Sequence, residues 1–450
     1  MPTDHANSQS WAILGGGMLG LTLAHRLAQA GRRVSVFEPA AELGGMASAW
    51  NFHGITWDRH YHVTLLSDTP LREILKELGL DEQMQWVTTR TGFFMDGKLY
   101  SMSNSLEFLR FPPLSLIDKF RLGATIAYAA RIRRADRLEK IGVAQWLTRL
   151  SGKNVFAKMW QPLLRAKLGE NYTQASAAFI WAIIARMYAA RRSGLKEERF
   201  GYLPGGYGRL LDAFRARLEQ QGVEIHLNAT AASVTAHDGA VDVTLTNGQS
   251  HRFDQAVLTM ASPAAATLCP QLSQRERLLH NGIAYQGIVC ASVLLRQPLG
   301  GYYVTNLIDD WVPFTAVIEM SALVDRAQFA GNHLVYLPKY VDPTDPLFDR
   351  TDEEIRQLFI PALRRMYPAL AEEDVLAFQV SRVRRVLPIP TLNYSAKLPP
   401  MHTSIPGVHI VNSTHIVNGT LNVNETVQLA NAAAKEMLAM PVAPARSAAA

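Results

Sequence analysis

Residues Trp11 to Met46, WAILGGGMLGLTLAHRLAQAGRRVSVFEPAAELGGM, constrain this chain more than any other stretch. An apolar run, Trp11 to Leu14, ends in Gly15-Gly16-Gly17-Met18-Leu19-Gly20, a G-x-G-x-x-G. Leu23, Leu27 and Ala30 follow at helical spacing, Gly31 closes that helix, and Val34 to Phe37 is a second short strand. Gly15 permits the tight turn, Gly17 lets backbone approach a pyrophosphate, and Gly20 lets helix pack close to strand. The helix N-terminus then offers N–H groups and the positive end of its dipole, with Met18 and Leu19 between the last glycines. Glu38 lies 18 residues after Gly20 (38 minus 20), where a carboxylate can accept hydrogen bonds from a ribose 2′-OH. Strand, glycine turn, helix, strand and acid together predict an α/β, Rossmann-like dinucleotide-binding unit.

At 450 residues the chain has room for two domains, or for one large cofactor domain with insertions. Hydrophobic content of 48% with 19% charged residues is a globular profile. The net charge of +6 suits an anionic substrate or an anionic membrane surface, although ordinary solubility explains it as well. Cys269 and Cys290 show neither metal-ligand spacing nor a disulfide framework, which predicts a reduced, cytoplasmic setting. The first ten residues lack the apolar core of a signal peptide. Pro263 and Pro270 interrupt the long uncharged run between Asp254 and Arg275, so no transmembrane helix is predicted. No nucleic-acid motif is present, and a small-molecule substrate is the expected partner.

Further along, Asn51 to His62 ends in Asp58-Arg59-His60-Tyr61-His62. His53, His60 and His62 match no common zinc spacing, so no metal is predicted. Asp96-Gly97 predicts a hairpin over Gly92–Tyr100. From Leu106 to about Arg192 the pattern is helical. Leu116 to Arg134 carries Lys119, Arg121, Arg131, Arg133 and Arg134, and such a basic amphipathic helix can lie on a membrane or simply face water. A second glycine cluster, Gly205-Gly206-Tyr207-Gly208, precedes a helix and a run of strands. Tyr302, Tyr303, Trp311, Phe314, Glu319 and Tyr336 stand in β-like surroundings, as core or as pocket wall. Thr351 to Tyr367 reads as a helix that Pro361 should kink or split. The tail after Met440 is of low complexity, which predicts disorder.

With Leu43-Gly44-Gly45-Met46 placed a few residues after Glu38, the sequence resembles the flavin-dependent amine oxidase superfamily, which includes protoporphyrinogen oxidases and carotenoid desaturases. The resemblance implies FAD as cofactor, with Gly44 and Gly45 wrapping it. Met46 stands where the family usually has Arg or Lys. It further implies that Ala231 lies near the adenine. Asn412 replaces the family's Asp near the ribityl-phosphate, and the helix opening at Asn422 and Val423 points at the flavin's pyrimidine carbonyl. His60 and His62 would lie close to the flavin. His60, His62 and Glu319 are the candidate catalytic groups.

The resemblance implies a discontinuous FAD domain (10–100, 200–270 and 386–440) with an inserted α+β substrate domain (101–199 and 271–385) and a tail at 441–450. The expected activity is an FAD-dependent oxidoreductase passing a hydride equivalent from an organic substrate, bulky and hydrophobic, to flavin. A redox-neutral flavin-dependent mutase or isomerase, or a non-catalytic FAD-binding protein, would use the same fold.

Overall fold

The computed structural model describes residues 9–191, 199–417 and 419–440, with backbone alone at 189–191. The expected tail at 441–450, and Asn418 of the C-terminal loop, lie outside the described residues.

Five parallel strands form the first sheet, in the order Glu224–His226, Arg33–Phe37, Ser10–Leu14, Gln255–Leu258, Val408–Ile410. Ile13 sits opposite both Val36 and Val257, and Leu258 sits opposite Ile410. The strands are short, apolar runs because the sheet is covered on both faces. Helix Met18–Gln29 joins helices Thr69–Glu77, Gly206–Gln220 and Val423–Leu438 in one core over the first face. An antiparallel meander, Ala231–His237, Ala240–Leu245 and Ser250–Phe253, covers the other through Val234, Val241 and Val243. This is the α/β Rossmann-like arrangement expected from the glycine turn.

The second sheet has seven strands: Val375–Pro388, Tyr285–Leu295, His333–Val341, Ala316–Glu319, Val304–Leu307, Thr91–Met95 and Lys98–Ser101, in that order. Its last two strands are the hairpin expected at Asp96-Gly97, both of which have positive φ. That hairpin pairs with Val304–Leu307, so it belongs to the second sheet and lies on the far side of the boundary expected at residue 100. The sheet's last long strand likewise starts at Val375, eleven residues before 386. Long-range pairing, which local pattern does not encode, sets both edges.

Side chains alternate across this sheet. Val289, Val335 and Leu337 face helix Asp352–Met366. Cys290, Leu334 and Tyr336 face hairpin Ala49–Asp58 of the first unit. Helix Asp352–Met366 is capped by Thr351 and Glu354 and runs unbroken through Pro361, which points to solvent, where a missing N–H is cheap. A helical insert, residues 105–191, has its own core around Trp146, Leu147, Met159 and Leu168. Among the described residues no helix is long and apolar enough to cross a membrane.

Candidate functional site: a dinucleotide cradle and the side-chain wall beyond it

Gly15, Glu38, Thr259 and Asn412 all follow the C-terminal ends of neighbouring parallel strands. Crevices at that edge are where open α/β sheets bind ligands. The glycines there answer to different demands. Gly15 has φ +115°, and a Cβ on it would lie 2.3 Å from Thr259 Oγ1. A Cβ on Gly20 would lie 1.9 Å from the Gly15 carbonyl oxygen, so helix and turn touch backbone to backbone. Gly44, at φ +119°, would place a Cβ 2.5 Å from Leu211.

Gly17 is different. Its φ of −78° suits any residue, and a Cβ there would meet nothing nearer than 3.9 Å. The polypeptide itself does not require glycine at 17; the open space in front of it is what an approaching phosphate uses. The second glycine pair forms the other wall. The Gly44 N–H donates to the Gly16 carbonyl at 2.8 Å, Gly17 and Gly44 form a parallel bridge, and Gly45 covers Gly17. Helix Met18–Gln29 begins at Gly17 with no side-chain cap and no acid in its first turn, so its dipole faces the cradle uncompensated.

Glu38 is buried and accepts from the Gly16 N–H at 2.7 Å and the Ala40 N–H at 2.9 Å. A carboxylate has lone pairs left for two ribose hydroxyls. Ala231 opens the meander opposite Leu245, beside a register shift. The Ala229 N–H donates to the Glu38 carbonyl at 2.9 Å, which brings this backbone to the adenosine side of the cradle. These residues fit the ADP half of FAD.

A second cluster, built of side chains, surrounds Asp58. Asp58, 2% exposed, is the hub of that cluster. Its Oδ1 accepts from the Tyr207 N–H at 2.7 Å, and its carbonyl accepts from the Tyr336 hydroxyl at 2.6 Å. Its Oδ2 lies 3.6 Å from His62 Nδ1, at ion-pair rather than hydrogen-bond distance. The His62 ring packs on Tyr207 with centroids 4.8 Å apart. Gly206 has to be glycine here, because a Cβ would lie 2.7 Å from Asp58 Oδ1.

His60 has its Nδ1 3.3 Å from the Met46 carbonyl, while its buried Nε2 has no partner. Burial, with His62 beside it, holds its pKa down to about 3, so the ring is neutral at physiological pH and weakly basic. Met46 itself packs partly buried against the second-sheet cluster.

Glu319 belongs elsewhere. Its carboxylate accepts from the N–H groups of Leu299 (3.0 Å), Gly300 (3.2 Å) and Gly301 (2.8 Å). Burial raises its pKa in spite of those bonds. Most of its acceptor sites are taken up in holding the loop at Leu299, Gly300 and Gly301.

Asn412, 1% exposed, is also turned inward: Oδ1 accepts from the Thr414 N–H (3.1 Å) and hydroxyl (2.5 Å), and Nδ2 donates to Ser262 Oγ (3.2 Å). It shapes the turn Ser413–His415 at the strand end, where direct contact between its side chain and the cofactor was expected.

Asn422 caps helix Val423–Leu438 by accepting the Glu425 N–H at 3.0 Å, leaving the Val423 N–H at the helix tip. Asn424 instead accepts the Leu71 N–H at 3.1 Å. The tip is tied to the helical insert as well, because Arg186 pairs with buried Asp68 at 3.0 Å.

Three residues that pattern reading passed over complete the cluster around Asp58. The Tyr61 and Tyr340 hydroxyls are 3.0 Å apart, and the Lys167 ammonium lies 3.6 Å from the Tyr340 ring centroid. Among the described residues no carboxylate lies within 4.0 Å of Lys167. Tyr61 stands between two histidines already singled out; Tyr340 and Lys167 carry no local signal, since a helix and a distant strand bring them together. Of the six aromatic and acidic residues in β-like surroundings, Tyr303 and Tyr336 face this side. Trp311 and Phe314 face the helix side. Among the described residues no cluster of three or more His, Cys, Asp or Glu side chains could hold a metal ion.

Comparison with known proteins agrees with this geometry. A coproporphyrinogen III oxidase from Propionibacterium freudenreichii subsp. freudenreichii is 23% identical over 87% of this chain and 84% of its own length. A zeta-carotene desaturase from Synechocystis sp. is 22% identical over 84% of this chain and 86% of its own. The solved structure of an oxidoreductase from Methanosarcina mazei superposes with a TM-score of 0.73 at 18% identity, over 95% of this chain and all of that one, a likeness of fold. The model of the flavin containing amine oxidoreductase family matches residues 19–438. With a glycine cradle fitted to the ADP half of FAD, this chain belongs to that family and is an FAD-dependent oxidoreductase.

Proposed function

We propose that this enzyme removes a hydride equivalent from a bulky, largely apolar organic substrate that carries an anionic group, held by Lys167. FAD, when bound, accepts that hydride equivalent. The observation that carries the reading is the wall of Tyr61, Tyr340 and unpaired Lys167 set in an apolar cluster containing Ile288, Cys290 and Tyr336. An ammonium with an aromatic neighbour and no carboxylate partner suits a substrate carboxylate or comparable anion. The apolar cluster suits the rest of the molecule. Two relatives are named for coproporphyrinogen III and for zeta-carotene, both bulky molecules.

In this reading His62 exchanges the substrate proton, with Asp58 steadying the charged ring. His60 stays neutral and fixes the loop through Met46. The ADP half is held by Gly15, Gly17, Met18, Leu19, Gly20, Glu38, Gly44, Gly45 and the backbone near Ala231. The tip of helix Val423–Leu438 favours negative charge on whatever lies before it.

Anaerobic titration of the flavin-loaded protein tests this. A bulky apolar acid should bleach the visible flavin band where a small aliphatic amine does not. Bleaching by the amine alone would overturn the substrate class. Turnover that needs pre-reduced flavin, with no net electron consumption, would replace the oxidation by an isomerisation.

A further inference from the structure

Helix Leu116–Ala129 carries apolar side chains on its outer face as well as its inner one. Its inward face sets Leu122 and Ala129 in the insert's core beside buried polar groups that are all satisfied. Lys119 Nζ donates to the Leu109 carbonyl at 2.7 Å, Asp118 accepts from Ser115 and Asn154, and Thr125 Oγ1 lies 2.9 Å from Ser151 Oγ. Its outward face carries Leu116 (76% exposed), Ile117 (70%), Phe120 (76%) and Tyr128 (54%), at the spacing that places side chains on one stripe. Helix Ser105–Arg110 adds Leu106 and Leu109, each more than half exposed. The Lys119 bond to Leu109 and the approach of Phe108 to Gly123 set the two helices side by side, so the six side chains form one patch. Seven large apolar side chains among the described residues are more than half exposed, and six of them are here. A contiguous patch of this kind marks a surface that is covered in use.

The surroundings identify the cover. Arg110, Arg121, Arg131, Arg133, Arg134, Arg137 and Lys140 are all exposed around these helices. Between residues 105 and 140 the acids are Glu107, half-buried, Asp118 and Glu139, both buried, and Asp136, which is exposed and already paired with Arg134 at 2.8 Å. Apolar side chains projecting from a rim of cations match the interface of a bilayer, where rings and aliphatic chains enter the acyl boundary and guanidinium groups meet phosphate. We propose that the outer face of helices Ser105–Arg110 and Leu116–Ala129 docks on a membrane surface that contains anionic lipids.

Co-sedimentation of the full flavin-loaded chain with vesicles tests this, using phosphatidylcholine alone and an equal mixture with phosphatidylglycerol. The expected result is binding to the mixed vesicles that weakens with salt. The combined variant Leu116→Ser, Ile117→Ser, Phe120→Ser should weaken that binding about tenfold or more. Its flavin spectrum and melting temperature should stay unchanged, because the replaced side chains face outward. Arg133→Gln with Arg137→Gln should weaken binding to the mixed vesicles about fivefold per residue, while affinity for phosphatidylcholine alone is unaffected. Failure of the parent protein to bind either vesicle overturns the proposal, as does full binding by the serine variant. A parent dimer that ignores vesicles and becomes monomeric in the serine variant would assign the face to contact between two copies of this chain.

Discussion

The glycine cradle and the side-chain cluster around Asp58 are built on different principles. The cradle at Gly15–Gly20, Glu38 and Gly44–Gly45 is made of backbone, and its parts lie within 31 residues (15 to 45) of one another. The cluster is made of side chains from Asp58–His62, Lys167, Tyr207, Tyr336 and Tyr340, spread over 283 residues (58 to 340). A backbone cradle tolerates no extra atoms but is indifferent to most chemistry beyond it. A side-chain wall can be rewritten one residue at a time. This division lets one fold hold FAD in the same way while its substrates change.

The comparison makes graded predictions. The largest effect should come from Gly20→Ala, whose Cβ would enter the Gly15 carbonyl. We expect a loss of ~3 kcal/mol or more in stability and protein that purifies without a flavin band. A yellow variant with parental melting temperature would mean that helix and turn need not touch.

Next is Lys167→Met in the side-chain cluster. FAD affinity should be unchanged while KM rises about thirtyfold, the loss of one charge-assisted contact of ~2 kcal/mol. A change in kcat with constant KM would take Lys167 out of substrate binding.

Gly17→Ala separates fold from ligand within the cradle. The melting temperature of the FAD-free protein should hold, while the Kd for FAD rises about tenfold, ~1.4 kcal/mol. Equal affinity for the two proteins, measured by flavin fluorescence quenching, would show that nothing approaches Gly17 closely.

The smallest effect is acid dependence. Burial, with His62 beside it, lowers the pKa of His60 to about 3. Burial, with a neighbouring histidine, also lowers those of His280 and His409 to about 4. The unfolded chain takes up protons below about pH 6.5 that the folded chain refuses, so stability is full above that value and falls as pH drops towards these lowered pKa values. Near pH 6 each group contributes ~1 kcal/mol or less to that fall. His60→Gln should therefore flatten the curve of urea midpoint against pH in the mildly acid range. An unchanged slope would place the His60 ring in contact with water.

How much of this was legible beforehand follows the same division. Gly15, Gly17, Gly20 and Glu38 announce themselves because their spacing is a backbone requirement, readable within one turn and one strand. The hairpin at Asp96-Gly97 was legible for the same reason, but not its partner, Val304–Leu307, which moved it into the second sheet. Glu319 looked like a free acid in a strand; three loop N–H groups, visible only in the fold, occupy it. Asn412 was legible as the residue at the end of the last strand, but the inward turn of its side chain depends on Ser262, 150 residues away. The basic residues of helix Leu116–Ala129 were plain in the sequence, yet not that apolar side chains stand on its outer face.

By itself, then, the sequence determined a Rossmann-like cradle and, through family likeness, FAD, because both rest on local backbone geometry at fixed spacing. Tertiary structure decided which side chains gather around Asp58, which acid holds a loop, and which side chains of a helix meet its surroundings. Those outcomes depend on strand order, sheet face and helix rotation, properties of the packed chain that short-range spacing does not encode.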